Sequence, residues 1–222
     1  MINISIDPEL KTLLPQLVLK GFSCHVKVGE SSSDLLAVID SKLAALADAH
    51  SPESIRELDT VKATKDAYRV LGKDPNRYRP AAEALLRRIA NGKGLYRINN
   101  VVDVLNLISA QTGYSICGYD FDNVIGNISL GIGEPEEPYI GIGRGDINIE
   151  RLPVFRDELS AFGTPTSDSV RSQVTPRTRR FLMIFIAFGD TALLNSSVKE
   201  AVELLTQFAE ASEFDQFTLS AQ

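Results

Sequence analysis

The sequence predicts an α+β fold, with a helical N-terminal half packed on a multi-stranded β-sheet system. Three observations carry that expectation. Apolar residues recur at helical spacing through 31–50, 52–72, 80–92 and from 100 onward. From Tyr114 the pattern changes to period two, in Ile128, Leu130 and Ile132, then Ile140 and Ile142, then Ile147 and Ile149. The regular strand–helix alternation of a nucleotide-binding parallel sheet is missing.

Each element has a local reason. MINISIDPEL alternates Ile with polar residues and reads as a first strand. Leu35, Val38, Ile39, Leu43 and Leu46 share one helical face behind a serine-rich start, where Asp34 completes a cap. Ser51-Pro52 supplies an N-cap and a first-turn proline for a second helix that carries Ile55, Leu58, Val61 and Tyr68 and ends at Gly72. Pro80 opens a third, with Leu85, Leu86 and Ile89 inward and Arg87 and Arg88 elsewhere, ended by Gly92 and Gly94. A fourth begins near Asn100, which is placed to cap it, and puts Asp103 and Asn106 on a common face. The strands that follow read as one sheet system. FLMIFIAF at 181–188 is apolar on both faces, as a central strand is. Val198, Ala201, Val202, Leu205 and Phe208 mark a closing helix, and Phe214, Phe217 and Leu219 a last strand. No repeat or linker divides the chain, so 1–222 is expected to be a single domain.

Composition bounds the function. A formal net charge of −6 argues against a general nucleic-acid binder, because release of phosphate counterions needs clustered cations. The distribution is uneven, however. Arg69, Lys73, Arg77, Arg79, Arg87, Arg88, Lys93 and Arg97 face only Asp74 and Glu83 over 69–97, and Arg171, Arg177, Arg179 and Arg180 form a second stretch without an acid. These read either as solvated arginines or as a one-sided tRNA contact. Cys24 and Cys117 are too few for a disulfide framework and have no metal-binding spacing, which points to a reduced cytoplasm. The longest apolar run falls far short of the roughly 20 residues of a membrane-spanning helix, so a soluble protein without membrane attachment is expected.

Few chemical motifs are present. The stretch GIGEPEEPYIGIGRGD at 131–146 has no phosphate-loop lysine and runs into a strand pattern, so its glycines read as hairpin ends. His25 and His50 are far apart and form no zinc pattern, and no metal or other cofactor is expected. Cys117 reads as a buried inert thiol. FGTPTSDSVRSQVTPRTRR at 162–180 is polar and conformationally specified. Its Thr166, Ser167 and Asp168 are candidates to orient water or hold an amino group, and amides beside Gly163 to face an oxygen, unless the segment is an ordinary capped turn.

RINNVVDVLNLISAQTGYSICGYDFDNV at 97–124 resembles a signature of the phenylalanyl-tRNA synthetase beta subunit, an N-x-V-V-D-V-x-N helix leading to a glycine and an H-A-F-D-like turn. AFGTPTSDS at 161–169 is similar to the loop that closes the editing pocket of the same B3/B4-type domain. The resemblance covers roughly 75–190 and implies a three-layer B3/B4-like architecture, with a strand and helices over 1–74 before the core and a helix and strand over 191–222 after it. In that family the pocket hydrolyses mischarged tyrosine from tRNA specific for phenylalanine. By resemblance, Asn106, Cys117, Gly118, Asp120 and Gly163 are expected to bind substrate; the polar loop adds Thr164 and Arg171 as binding and Thr166, Ser167 and Asp168 as catalytic candidates, and the two basic stretches put Arg87, Arg88, Arg179 and Arg180 on tRNA. Cys117 stands where the family has His, and Pro165 where it has Glu, with Asp168 as the replacement acid. The implied function is trans-editing of an aminoacyl-tRNA. The alternative is a non-catalytic module that binds a free amino acid, a small metabolite or a partner protein. Either way the chain is too short to charge tRNA itself.

Overall fold

The computed structural model describes residues 2–221. In chain order the elements are β1 (Ile4–Ile6), α1 (Pro8–Leu13), β2 (Val18–His25), α2 (Ser33–Ala49), α3 (Asp59–Val70), α4 (Ala81–Ala90), α5 (Asn100–Thr112), β3 (Ser115–Asp120) and β4 (Ile128–Ile132). There follow β5 (Ile140–Gly141), β6 (Gly145–Asp146), β7 (Pro153–Arg156), β8 (Ala161–Gly163), β9 (Arg180–Ala187), α6 (Leu194–Ala209) and β10 (Ser212–Ser220). The α+β class holds.

The strands do not form one sheet system. They divide into a four-stranded sheet of order β1-β4-β7-β8, another of order β10-β2-β9-β3, and a two-stranded hairpin of β5 and β6. The division is visible in β9, which pairs antiparallel with β2 on one side and β3 on the other. Its Phe181, Met183 and Phe185 pack with Val104 of α5 and Leu205 of α6. The alternate residues Leu182, Ile184 and Ile186 pack with Leu130, Phe155 and Phe162 of the other sheet. An all-apolar strand is required because it is buried on both faces. The result is three layers: helices α2, α5 and α6, then the β9 sheet, then the β4 sheet.

Local chemistry explains the shifted boundaries. The second helix begins at Asp59 rather than Ser51, because Ser51 and Ser54 exchange side-chain bonds to each other's N–H at 2.9 and 3.2 Å. Those bonds close one 3-10 turn, after which Leu58 is extended. The cap of α5 is Asn99, whose side chain accepts from the Val102 N–H. Asn100 lies one residue inside, and its amide group binds the Gly29 N–H and the carbonyls of Lys27 and Phe208. Asp103 is occupied by Ile98 N–H and the Ser31 hydroxyl. Ile147 and Ile149 lie outside any strand. No helix among the described residues is long and apolar enough to cross a membrane.

Candidate functional site

Helix α4 is short and amphipathic. Leu86 and Ile89 are buried, which leaves Arg87 and Arg88 on its outer side. That side forms one wall of a cavity of about 400 Å³. Arg79, Arg87, Arg88, Lys93 and Arg144 line it together with Tyr96, Asn106 of α5 and Thr166, and no carboxylate is among its lining residues. Arg87 is braced by the buried Glu83 at 2.8 Å, which also faces Arg79 at 3.8 Å and Lys65 at 3.5 Å. Arg88 lies over the Tyr96 ring at 3.9 Å, and its Nε is buried without a hydrogen-bond partner. Lys93 and Arg144 make no ion pair among the described residues. A groove of about 490 Å³ between α1 and α3 is larger, but its charged lining is Asp59, Asp66 and Asp190 with Lys62, the opposite balance to that of the basic cavity.

Behind Thr166 lies a sealed polar cluster. The Thr164 hydroxyl accepts the N–H groups of Thr166 and Ser167 at 3.2 and 3.0 Å and donates to the Ser167 carbonyl, forming a tight turn after β8. The turn is fastened to α4 by the Ala81 N–H on the Pro165 carbonyl. Thr166 shares a 2.8 Å hydrogen bond with the buried Tyr68 hydroxyl. Tyr139 donates to the Ser167 carbonyl at 2.6 Å.

Asp168 follows this turn. The residue as a whole is half-buried, yet its Oδ1 is out of reach of solvent and has no hydrogen-bond partner within good geometry. The Tyr119 hydroxyl is sealed and unpartnered in the same way. Burial raises the Asp168 carboxyl from 3.8 to about 7, and the nearby Gly118 N–H, Tyr119 hydroxyl and Cys117 thiol hold it from rising further. Folded Asp168 therefore keeps its proton to higher pH than unfolded Asp168. Its stabilising contribution is complete below 3.8 and is lost as pH rises through about 7.

Burial, with the Asp168 charge second, pushes the Cys117 thiol well above its ordinary value, and Cys117 donates to the Thr164 carbonyl at 3.7 Å. It is an inert thiol at neutral pH. Tyr68, Tyr119 and Tyr139 are likewise raised by burial and remain neutral. Two glycines have packing reasons. A Cβ on Gly163 would lie 1.8 Å from the Tyr119 hydroxyl, and one on Gly118 would lie 2.3 Å from the Leu105 side chain.

The structure thus brings Asn106, Arg87, Arg88 and Thr166 to one cavity, and Cys117, Gly118, Gly163, Thr164, Ser167 and Asp168 to the cluster beside it. It places the remaining candidates elsewhere. Asp120 accepts from the Thr178 hydroxyl at 2.7 Å and caps the next turn. Arg171 clamps Asp157 with two 3.0 Å bonds and also reaches the Asn123 and Ser160 carbonyls. Arg179 donates to the carbonyls of Pro176 and Thr178, and Arg180 pairs with Asp122 at 3.3 Å and stacks on Phe121. None of these four lines the cavity. Neither histidine does, and among the described residues no three His, Cys, Asp or Glu side chains are grouped to hold a metal.

Tyr68, Tyr119, Tyr139 and Arg144 were not expected at a site. The one available signal was Gly143-Arg144-Gly145, an arginine presented at a turn, where both glycines adopt positive φ.

The chain is similar to the crystal structure of an N-terminal fragment of the phenylalanyl-tRNA synthetase beta-subunit from Pyrococcus horikoshii, with a TM-score of 0.50 and 11% identity. The likeness covers 97% of this chain and 54% of that one, so the chain spans about half of the fragment it matches in fold. No match was found among curated proteins. Residues 63–209 match the family described as the B3/4 domain, a span that takes in the cavity, the sealed cluster and the strands from β3 to β9. With well over half of its length so matched, the chain belongs to the B3/4 domain family.

Proposed function

We propose that the protein binds the acceptor end of a tRNA in the basic cavity and hydrolyses a mischarged aminoacyl ester beside it. One observation carries the reading: a chain of net charge −6 lines this cavity with five cations and no carboxylate. Phosphate is the ligand such a lining favours, since each cation that meets one releases a counterion. Tyr96, 57% exposed, offers a ring for a base, a contact usually worth about 1–3 kcal/mol. The likeness to a fragment of a tRNA synthetase subunit supports tRNA as the polymer.

The chemistry follows from Asp168. A carboxyl that titrates near neutrality is suited to take a proton from water and return it. The water oxygen would add to the ester carbonyl while Asp168 accepts the proton. The ribose oxygen then leaves with that proton as the carbonyl re-forms. An aminoacyl ester is already activated, so positioning by Thr166, Ser167 and the Gly163 backbone supplies a useful part of the barrier reduction.

The sealing of Asp168 Oδ1 favours the second reading, a binding module without turnover. A deacylation screen with correctly and incorrectly charged tRNAs separates the two. The editing reading expects at least one mischarged species to be hydrolysed faster than its correctly charged counterpart. If nothing is hydrolysed and calorimetry detects a bound amino acid, the module reading replaces it.

A further inference from the structure

The β5–β6 hairpin joins the two halves of the site. Its first strand and the start of its turn cover the sealed cluster: Ile142 N–H donates to the Asp168 carbonyl at 3.0 Å, Gly141 bridges to Ser169, and the preceding Tyr139 holds Ser167. Its tip carries Arg144 into the cavity wall. These ties all end on 167–169, so they break together if the hairpin lifts. Its base is anchored by Tyr139, buried beside Tyr68 and Ile149 with Ile147 packed against them, but the part beyond Tyr139 is lightly held. Each strand has two residues, Ile140 and Ile142 are 56% and 38% exposed, and Gly143 and Gly145 have open space around their α-carbons. Segments with few buried contacts open first. Beneath the hairpin, Asp168 Oδ1 and the Tyr119 hydroxyl are sealed near one another, away from solvent, so that a ligand reaches Asp168 only once the hairpin lifts.

We propose that a phosphate group held between the α4 cations and Arg144 keeps this hairpin closed over Asp168, and that without such an anion the hairpin opens. In the closed arrangement Arg144 lines the same cavity as Arg88 and Lys93, and it makes no ion pair with a carboxylate among the described residues. An anion there binds the closed state more tightly than the open one, and by linkage it shifts the population toward closure. The ester and its attacking water would enter in the open state, and engagement of the phosphate would then close the hairpin over both. The inference rests on the cavity as an anion site and is independent of ester hydrolysis.

Amide hydrogen exchange by NMR tests it, with inorganic pyrophosphate as the probe. Without the anion, Ile142 should exchange far faster than Ile184 at the centre of β9. Saturating pyrophosphate should slow Ile142 about tenfold or more, within the usual range for linked sites. Arg144→Ala should remove the slowing, and Arg144→Lys should keep most of it. Unchanged Ile142 exchange at saturation overturns the proposal, as does slowing that persists in Arg144→Ala. Failure of pyrophosphate to shift the Arg88 and Arg144 side-chain resonances also overturns it. A chain that deacylates nothing yet shows the slowing keeps the lid and loses the editing reading.

Discussion

Replacing Asp168 by Ala should lower deacylation of a susceptible mischarged tRNA by about 10- to 1000-fold, the range for losing a general base or a group that positions water. Cys117→Ser should retain most of the activity. The two side chains belong to one cluster, but only one of them changes charge near neutrality: Asp168 is raised to about 7, whereas burial keeps the Cys117 thiol protonated. The pH profile gives an independent check. As a base, Asp168 is active only when ionised, so the rate should climb as pH rises through about 7 and level off above it. Asp168→Asn preserves the shape and removes the ionisation, so it should show the same loss without that rise. A Cys117→Ser enzyme without turnover, together with an acyl adduct on the wild-type thiol, would show that the nucleophile is sulfur and not water.

The second large effect concerns affinity. Changing Arg88, Lys93 and Arg144 together to Ala should weaken tRNA binding at least about 100-fold at low salt, since each charge-assisted phosphate contact contributes on the order of 1.5–3 kcal/mol and two of them at the lower value come to roughly 3 kcal/mol. The slope of log affinity against log salt should become shallower by about 2, at roughly 0.7 per single-stranded phosphate contact. Arg179→Ala with Arg180→Ala should change affinity less than about twofold, as expected for exposed cations outside the contact. Those arginines already serve local carbonyls and Asp122. Filter binding across a salt series measures both effects. Equal losses from the two sets would place the tRNA on a broad surface rather than in the cavity.

The fold was legible where one period dominates. Helices α2, α4, α5 and α6 and strand β9 follow from spacing alone, because each buries a continuous stripe or two full faces. The division into two sheets was not legible. It depends on which distant strands pair, such as Ile4 of β1 with Ile128 of β4, and alternation within a strand carries no information about its neighbour.

The site was half legible for a related reason. A hydroxyl-rich turn with an acid draws notice in sequence, so Thr164, Thr166, Ser167 and Asp168 stood out. Tyr68 lies on the apolar face of a helix, and Tyr119 and Tyr139 belong to no motif, so nothing in the sequence ties them to the turn that their hydroxyls meet or surround. Charge misled in the other direction. Asp120 and Arg171 carry the right functional groups, but a charged side chain in sequence does not reveal whether a neighbour has already taken it. Thr178 and Asp157 have done so.

The central claim is that the cavity receives the acceptor end of tRNA, and the most direct measurement compares intact uncharged tRNA with the same tRNA trimmed of its three 3′-terminal nucleotides. Fluorescence anisotropy at low salt should show the trimmed species binding at least about tenfold more weakly, given about 1–3 kcal/mol for a base stacked on Tyr96 and the added loss of phosphate contacts. The Arg88, Lys93 and Arg144 triple variant should distinguish the two less sharply, because it loses phosphate contacts but keeps the Tyr96 ring. Equal binding of intact and trimmed tRNA by the wild-type protein would contradict the account, because the cavity would then not hold the end that carries the amino acid.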